Sequence, residues 1–150
     1  MSALRQALGA EAAPHKFEHK GQVYLVQPIT QEVKTAFSEW QWERACKVAF
    51  SMRAGMTPDE YERHLKKLND DYLAGEYDFE SERTAAILKT KAGVLALCAL
   101  LWGCSQAQMI TLAVERGAEV KALLELVMAE SMPDMPKVPE GGDPNVQTPA

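Results

Sequence analysis

Residues 92–104 read AGVLALCALLWGC, and no charge appears anywhere between Ala92 and Val114. In a chain that is 25% charged, so long an uncharged run has to be withdrawn from water. A helix crossing a bilayer needs roughly 20 predominantly apolar residues. Here the apolar part stops at Cys104, and Ser105, Gln106 and Gln108 fall near the middle of the window. In hydrocarbon each would need a polar partner. Ser105 and Gln108 instead form the pattern of a capping box, Ser at the N-cap and Gln at N3, with Met109 and Ile110 following. The run therefore reads as two helices meeting at Gly103–Ser105. The first is the buried centre of the fold, and no membrane span is expected.

Upstream, Phe17-Glu18-His19 and Gln22-Val23-Tyr24-Leu25-Val26 flank Lys20–Gly21, a pair with Gly where a tight turn needs positive φ. With those two residues as the loop, Phe17 faces Tyr24, while Val23 and Leu25 lie on the opposite face. A lone two-stranded hairpin is marginal in water, so it must dock on a helix or pair with another copy. Pro28 ends the second strand and Thr30 is placed to cap a helix. From Gln31, Val33, Phe37, Trp40, Val48 and Met52 recur at helical spacing. Trp42, Cys46 and Phe50 make a second apolar strip. A helix apolar on two sides is expected to lie between neighbours. Gly55 stops it.

Thr57-Pro58-Asp59-Glu60 combines an N-cap, Pro at N1, acid in the first turn and Glu at N3. Tyr61, Leu65, Leu68 and Tyr72 then form one stripe, and Gly75 ends the helix. The connector Glu76–Phe79 carries Tyr77 and Phe79 as expected anchors. A helix is expected from Ser81 to about Trp102. A last helical region, Gln106 to about Glu130, is broken or bent near Gly117. Five of the eight prolines follow Ser131. The fold class is thus mainly α: an N-terminal β-hairpin, four to five helices and a disordered C-terminal tail. Residues 1–14 read as a flexible arm, 15–131 as a single domain, and 132–150 as the disordered Pro/Gly-rich tail.

A net charge of −5 argues against nucleic acid as the main partner. Cys46, Cys98 and Cys104 lack CxxC spacing, and an odd count without a signal peptide suggests reduced thiols in the cytoplasm. His15 and His19 point to one strand face, but Glu18 points away and no cysteine is near, so no metal site is expected. His64 lies on the polar side of its helix. Cys98 sits among apolar residues, whereas a reactive thiolate wants a positive, accessible setting. There is no GxSxG, HExxH or Gly-rich phosphate loop. The chain therefore reads as a non-enzyme with no catalytic residues and no cofactor. Trp42 projects roughly 200° away from Trp40 around a shared helix, so the two cannot face one neighbour. Tryptophan is enriched at interfaces. The candidate partner-binding residues are Trp42, Cys46 and Phe50, with Tyr24 and Leu25 as hairpin-edge contacts.

The order of these elements resembles the tail assembly chaperones of long-tailed phages. The likeness is carried by Phe17, Gly21, Tyr24, Leu25, Pro28, Ile29 and Thr30, then by Leu100, Leu101, Trp102 and Glu119-Val120. It spans about Phe17 to Ser131 and is one of pattern rather than of a specific motif. The resemblance implies a non-enzymatic protein of the host cytoplasm that binds the helical tape measure protein and aids tail tube assembly. It also implies contact with the tail tube protein and self-association into a homo-oligomer. The alternative expectation is a virion structural protein, a connector or minor tail component.

Overall fold

A computed structural model of the protein describes residues 13–131. The expected tail and nearly all of the expected N-terminal arm lie outside them. Strands β1 (His15–His19) and β2 (Gln22–Val26) pair antiparallel, with Phe17 opposite Tyr24. Lys20 (φ 48°) and Gly21 (φ 78°) both take the left-handed conformation that a two-residue hairpin turn needs. Helices α1 (Gln31–Met52), α2 (Pro58–Leu73), α3 (Glu82–Ile87), α4 (Lys91–Trp102), α5 (Gln106–Glu115) and α6 (Gly117–Ser131) follow. A 3-10 turn, Arg53–Gly55, closes α1.

The uncharged run does become two helices. They are bent by 102° at Gly103–Ser105, and no single helix among the described residues is long and apolar enough to cross a membrane. Gly103 (φ 69°) ends α4 in the left-handed region. The Ser105–Gln108 capping box opens α5, with both reciprocal hydrogen bonds present. Buried Leu97, Cys98, Leu101 and Trp102 make α4 the central element. Around it pack Phe17, Tyr24 and Val26 of the hairpin, Val33 and Phe37 of α1, Met109 and Leu112 of α5, and Val120, Leu124 and Val127 of α6. The hairpin is thereby docked on helices, and the Gln27 amide donates to the Leu101 carbonyl at 2.9 Å.

One expected helix is two. The segment Ser81–Trp102 divides between Ile87 and Lys91, with Thr90 as a fresh N-cap accepting from the Gly93 amide. Gly93 makes the division compact, because a Cβ there would run into the Ile87 carbonyl. Only glycine permits that approach. The Gln106–Ser131 region divides at Arg116, beside the expected break or bend at Gly117, and the described residues hold six α-helices against the four to five expected.

α2 is set apart from this body. Its Thr57–Glu60 capping box forms as expected, yet none of its residues is buried. Arg53 lies over the Tyr61 ring (5.6 Å) and Trp42 meets Tyr72 (4.6 Å between ring centroids), so α2 runs back antiparallel along the C-terminal half of α1. Connector residues Tyr77 and Phe79 are buried, as the sequence indicated. Buried Gln41 of α1 donates to Thr84 Oγ1 (2.7 Å), which donates in turn to the Asp78 carbonyl (2.9 Å). This chain of hydrogen bonds ties α1 to the connector and α3.

Candidate functional site

The apolar strip of α1 behaves differently in its two halves. Val33 and Phe37 are 5% and 0% exposed, but Val48 and Met52, further along the same strip, are 50% and 43% exposed. The core ends before the helix does. Beyond that edge α1 is covered by α2 alone, which seals Ala49 and little else. An amphipathic helix normally buries its stripe against a core. That of α2 is only half covered: Tyr61 and Leu68 are half-buried, while Leu65 and Tyr72 are exposed.

The candidate residues of α1 lie on this outlying hairpin. Trp42 is half-buried, packed against Tyr72 with the rings tilted by 46° and meeting Tyr77 edge-on at 5.2 Å. Cys46 is exposed, and Phe50 is 67% exposed. Residues 42, 46 and 50 follow one another a turn apart along one side of α1, and Leu65 and Tyr72, seven apart, share one side of α2. The Trp42–Tyr72 contact joins the two rows. The outcome is an apolar strip shared by both helices, with Leu73 (74% exposed) beside its inner end.

The hairpin residues separate. Leu25 is 58% exposed on the outward face with Val23. Tyr24 is not a surface contact: its pairing with Phe17 turns it inward, where it is buried, 6.4 Å from the Phe17 ring. Trp102, also in the core, meets Phe17 edge-on at 5.7 Å.

Around Trp42 the electrostatics are mild. Burial pushes the Tyr77 hydroxyl above its ordinary value, opposed by Arg83, whose guanidinium lies 4.5 Å over the Tyr77 ring. Cys98 is pushed up to about 12 by its apolar surroundings, which leaves it a protonated, inert thiol. Cys104 is raised by the same cause.

Sequence reasoning missed the partners of the two strand histidines. His15 Nε2 lies 2.9 Å from Glu130, and His19 Nε2 lies 2.6 Å from Glu115, which also accepts from Lys20 at 2.8 Å. Arg116 donates to the Glu18 carbonyl and lies over the Phe17 ring. These contacts fasten the hairpin to α5 and α6. Only the shared strand face of His15 and His19 could have signalled them. A hollow of about 220 Å³ opens here between the hairpin turn and α5. Among the described residues no three His, Cys, Asp or Glu side chains come close enough to share a metal ion.

Compared with protein-family models, curated proteins and solved structures, the chain matches none.

Proposed function

We propose that this protein is a non-enzymatic assembly chaperone of the phage-tail kind. In this reading it receives an amphipathic helix of the tape measure protein on the outlying α1–α2 hairpin and keeps that long client soluble, in the host cytoplasm, until tail tube subunits assemble on it. The observation that carries the proposal is the open apolar strip. Phe50, Leu65, Tyr72 and Leu73 stay exposed although the same chain packs a closed core around α4. Large contiguous apolar patches are rare on monomeric proteins and mark places where another molecule binds. Helical spacing on both hairpin helices suits a helix laid along them, with anchors recurring every three or four residues.

Co-expression of the tape measure protein with this chain tests the reading. The wild-type chain keeps the client soluble and co-purifies with it. A Phe50→Ser, Leu65→Ser variant folds but loses the client to the pellet. Failure of the wild type to retain the client, or its presence as a stoichiometric component of purified particles, would overturn the proposal in favour of a virion structural role.

A further inference from the structure

The two edges of the β-hairpin differ. A two-residue loop at Lys20–Gly21 makes His19–Gln22 a hydrogen-bonded pair, and such pairs then alternate along the ladder. Lys16 and Glu18 therefore turn their backbone groups outward on β1, as Val23 and Leu25 do on β2. On β1 the edge is closed, because Arg116 donates to the outward Glu18 carbonyl at 2.9 Å. On β2 the outward amides and carbonyls of Val23 and Leu25 have no hydrogen-bond partner among the described residues. Their side chains are 48% and 58% exposed. Such an edge is normally blunted by charge or by proline. β2 carries neither, and no charge occurs between Gly21 and Gln31.

Helix α5 runs along β2. At one end Gln27, next in the same outward series, donates to the Leu101 carbonyl just before the turn into α5. At the other, His19 and Lys20 reach Glu115, the last residue of α5. Between these two fastenings the strand and the helix stand apart, and the hollow of about 220 Å³ opens there. Gln22 and Tyr24 line it from β2, while Gln108, Thr111 and Leu112, one stripe of α5, line it from the other side. Gln108 and Thr111 are exposed although they face the strand. Apart from His19, Lys20 and Glu115 at its turn end, the walls are uncharged. Lys16 and Glu18, one of each sign, stand across the ladder on the far side of β2.

An open strand edge can receive an extended peptide as an added strand, with nearby hollows taking alternate side chains. We propose that β2 is such a receptor: an extended, uncharged segment of a partner protein pairs with Val23 and Leu25 and turns every second side chain into the hollow. Successive side chains of a strand point to opposite faces. Small hydroxyl- or amide-bearing residues suit the inward positions, where Gln22, Gln108 and Thr111 supply donors and acceptors. β-Branched residues suit the outward positions beside Val23 and Leu25. A lysine or glutamate facing inward would lose water without gaining a partner, because Lys20 and Glu115 already engage one another. This surface belongs to the β-hairpin and α5, so it stands whether or not the α1–α2 strip binds a helix.

The test uses the full chain and short peptides, acetylated and amidated, in which Thr and Val alternate. In the free protein the Val23 and Leu25 amides should exchange hydrogen freely, while those of Tyr24 and Val26, held in the ladder, are protected. The Thr/Val peptide should protect Val23 and Leu25 and leave α1 and α2 unchanged. N-methylation of its Val amides, which face β2 in an antiparallel pair, should weaken binding about tenfold, for two backbone hydrogen bonds lost. Lys or Glu in place of Thr should weaken it by a similar factor. Thr111→Arg fills the hollow from an exposed position and should abolish binding, with urea denaturation unchanged from wild type. Leu25→Pro removes one outward amide without touching the ladder and should act likewise. No binding of the Thr/Val peptide, equal binding of the charged peptides, or full binding by Thr111→Arg would overturn the proposal. So would protection of Val23 and Leu25 that rises with protein concentration alone, since a second copy would then be the occupant.

Discussion

Truncating Phe50 separates a core from a binding surface. Full burial of a Phe side chain contributes about 1.5–3 kcal/mol. Phe50 is 67% exposed, so only about a third of that, roughly 0.5–1 kcal/mol, is at stake in the free protein. Alanine's higher helix propensity returns a few tenths of a kcal/mol. Phe50→Ala should therefore change the unfolding free energy by less than about 1 kcal/mol. Phe37 sits on the same helix, is fully buried, and meets Trp40 and Phe79, so Phe37→Ala should cost about 3–5 kcal/mol. Urea denaturation of both variants gives the comparison directly. Binding should reverse the order: Phe50→Ala weakens capture of an amphipathic client helix by tenfold or more, as loss of an aromatic anchor does. Trp42→Ala is a poorer probe, since Trp42 also holds α2 through Tyr72 and Tyr77 and its loss would cost stability as well. A Phe50→Ala protein destabilised like Phe37→Ala would refute the reasoning, because Phe50 would then be core.

Gly93→Ala should destabilise by about 1–3 kcal/mol, because its Cβ drives α4 away from the Ile87 carbonyl; thermal unfolding reads this out. Glu115, through its hydrogen bonds to Lys20 and His19, and Glu80, through that to Lys34, both ionise below the ordinary carboxylate range. Such groups stabilise fully above their unfolded value near 4.5 and lose that contribution as pH falls through the lower folded values. The stability gap between wild type and Glu115→Gln should accordingly hold above the unfolded value near 4.5 and shrink as the pH falls below it in urea titrations. Thiol reagents should modify Cys46 first and the half-buried Cys104 more slowly, with Cys98 reacting only on unfolding, as mass spectrometry of timed samples will show.

Local chemistry was legible wherever a few neighbouring residues decide the backbone. Lys20–Gly21, Thr57–Glu60 and Ser105–Gln108 each form the turn or cap their residue types dictate, and the hairpin register follows from the first. Trp42, Cys46 and Phe50 could be singled out because a helix apolar on two sides cannot bury both in one core. The division at Leu88–Thr90 was hidden, since it depends on a close approach of Gly93 to Ile87 that spacing does not reveal. Tyr24 belongs inside because its pairing with Phe17 puts both rings on one face of the hairpin, a constraint that outweighs its edge position. The stripe of Tyr61, Leu65, Leu68 and Tyr72 is legible in the spacing, but not that Leu65 and Tyr72 stay exposed. Periodicity identifies the apolar face of a helix but not how much of it a neighbour covers. The attachments of His15 to Glu130 and His19 to Glu115 join residues far apart in sequence and leave no local trace.

Amide hydrogen exchange along α2, with and without an amphipathic client helix, tests the central claim most directly. Covered on one side only, α2 should exchange far faster than α4 in the free protein. Bound helix should slow α2 and the Cys46–Met52 segment at least tenfold and leave α4 unchanged. If α2 is already as protected as α4 in the monomer, or exchanges no more slowly with the helix bound, the hairpin is not an open surface awaiting a partner.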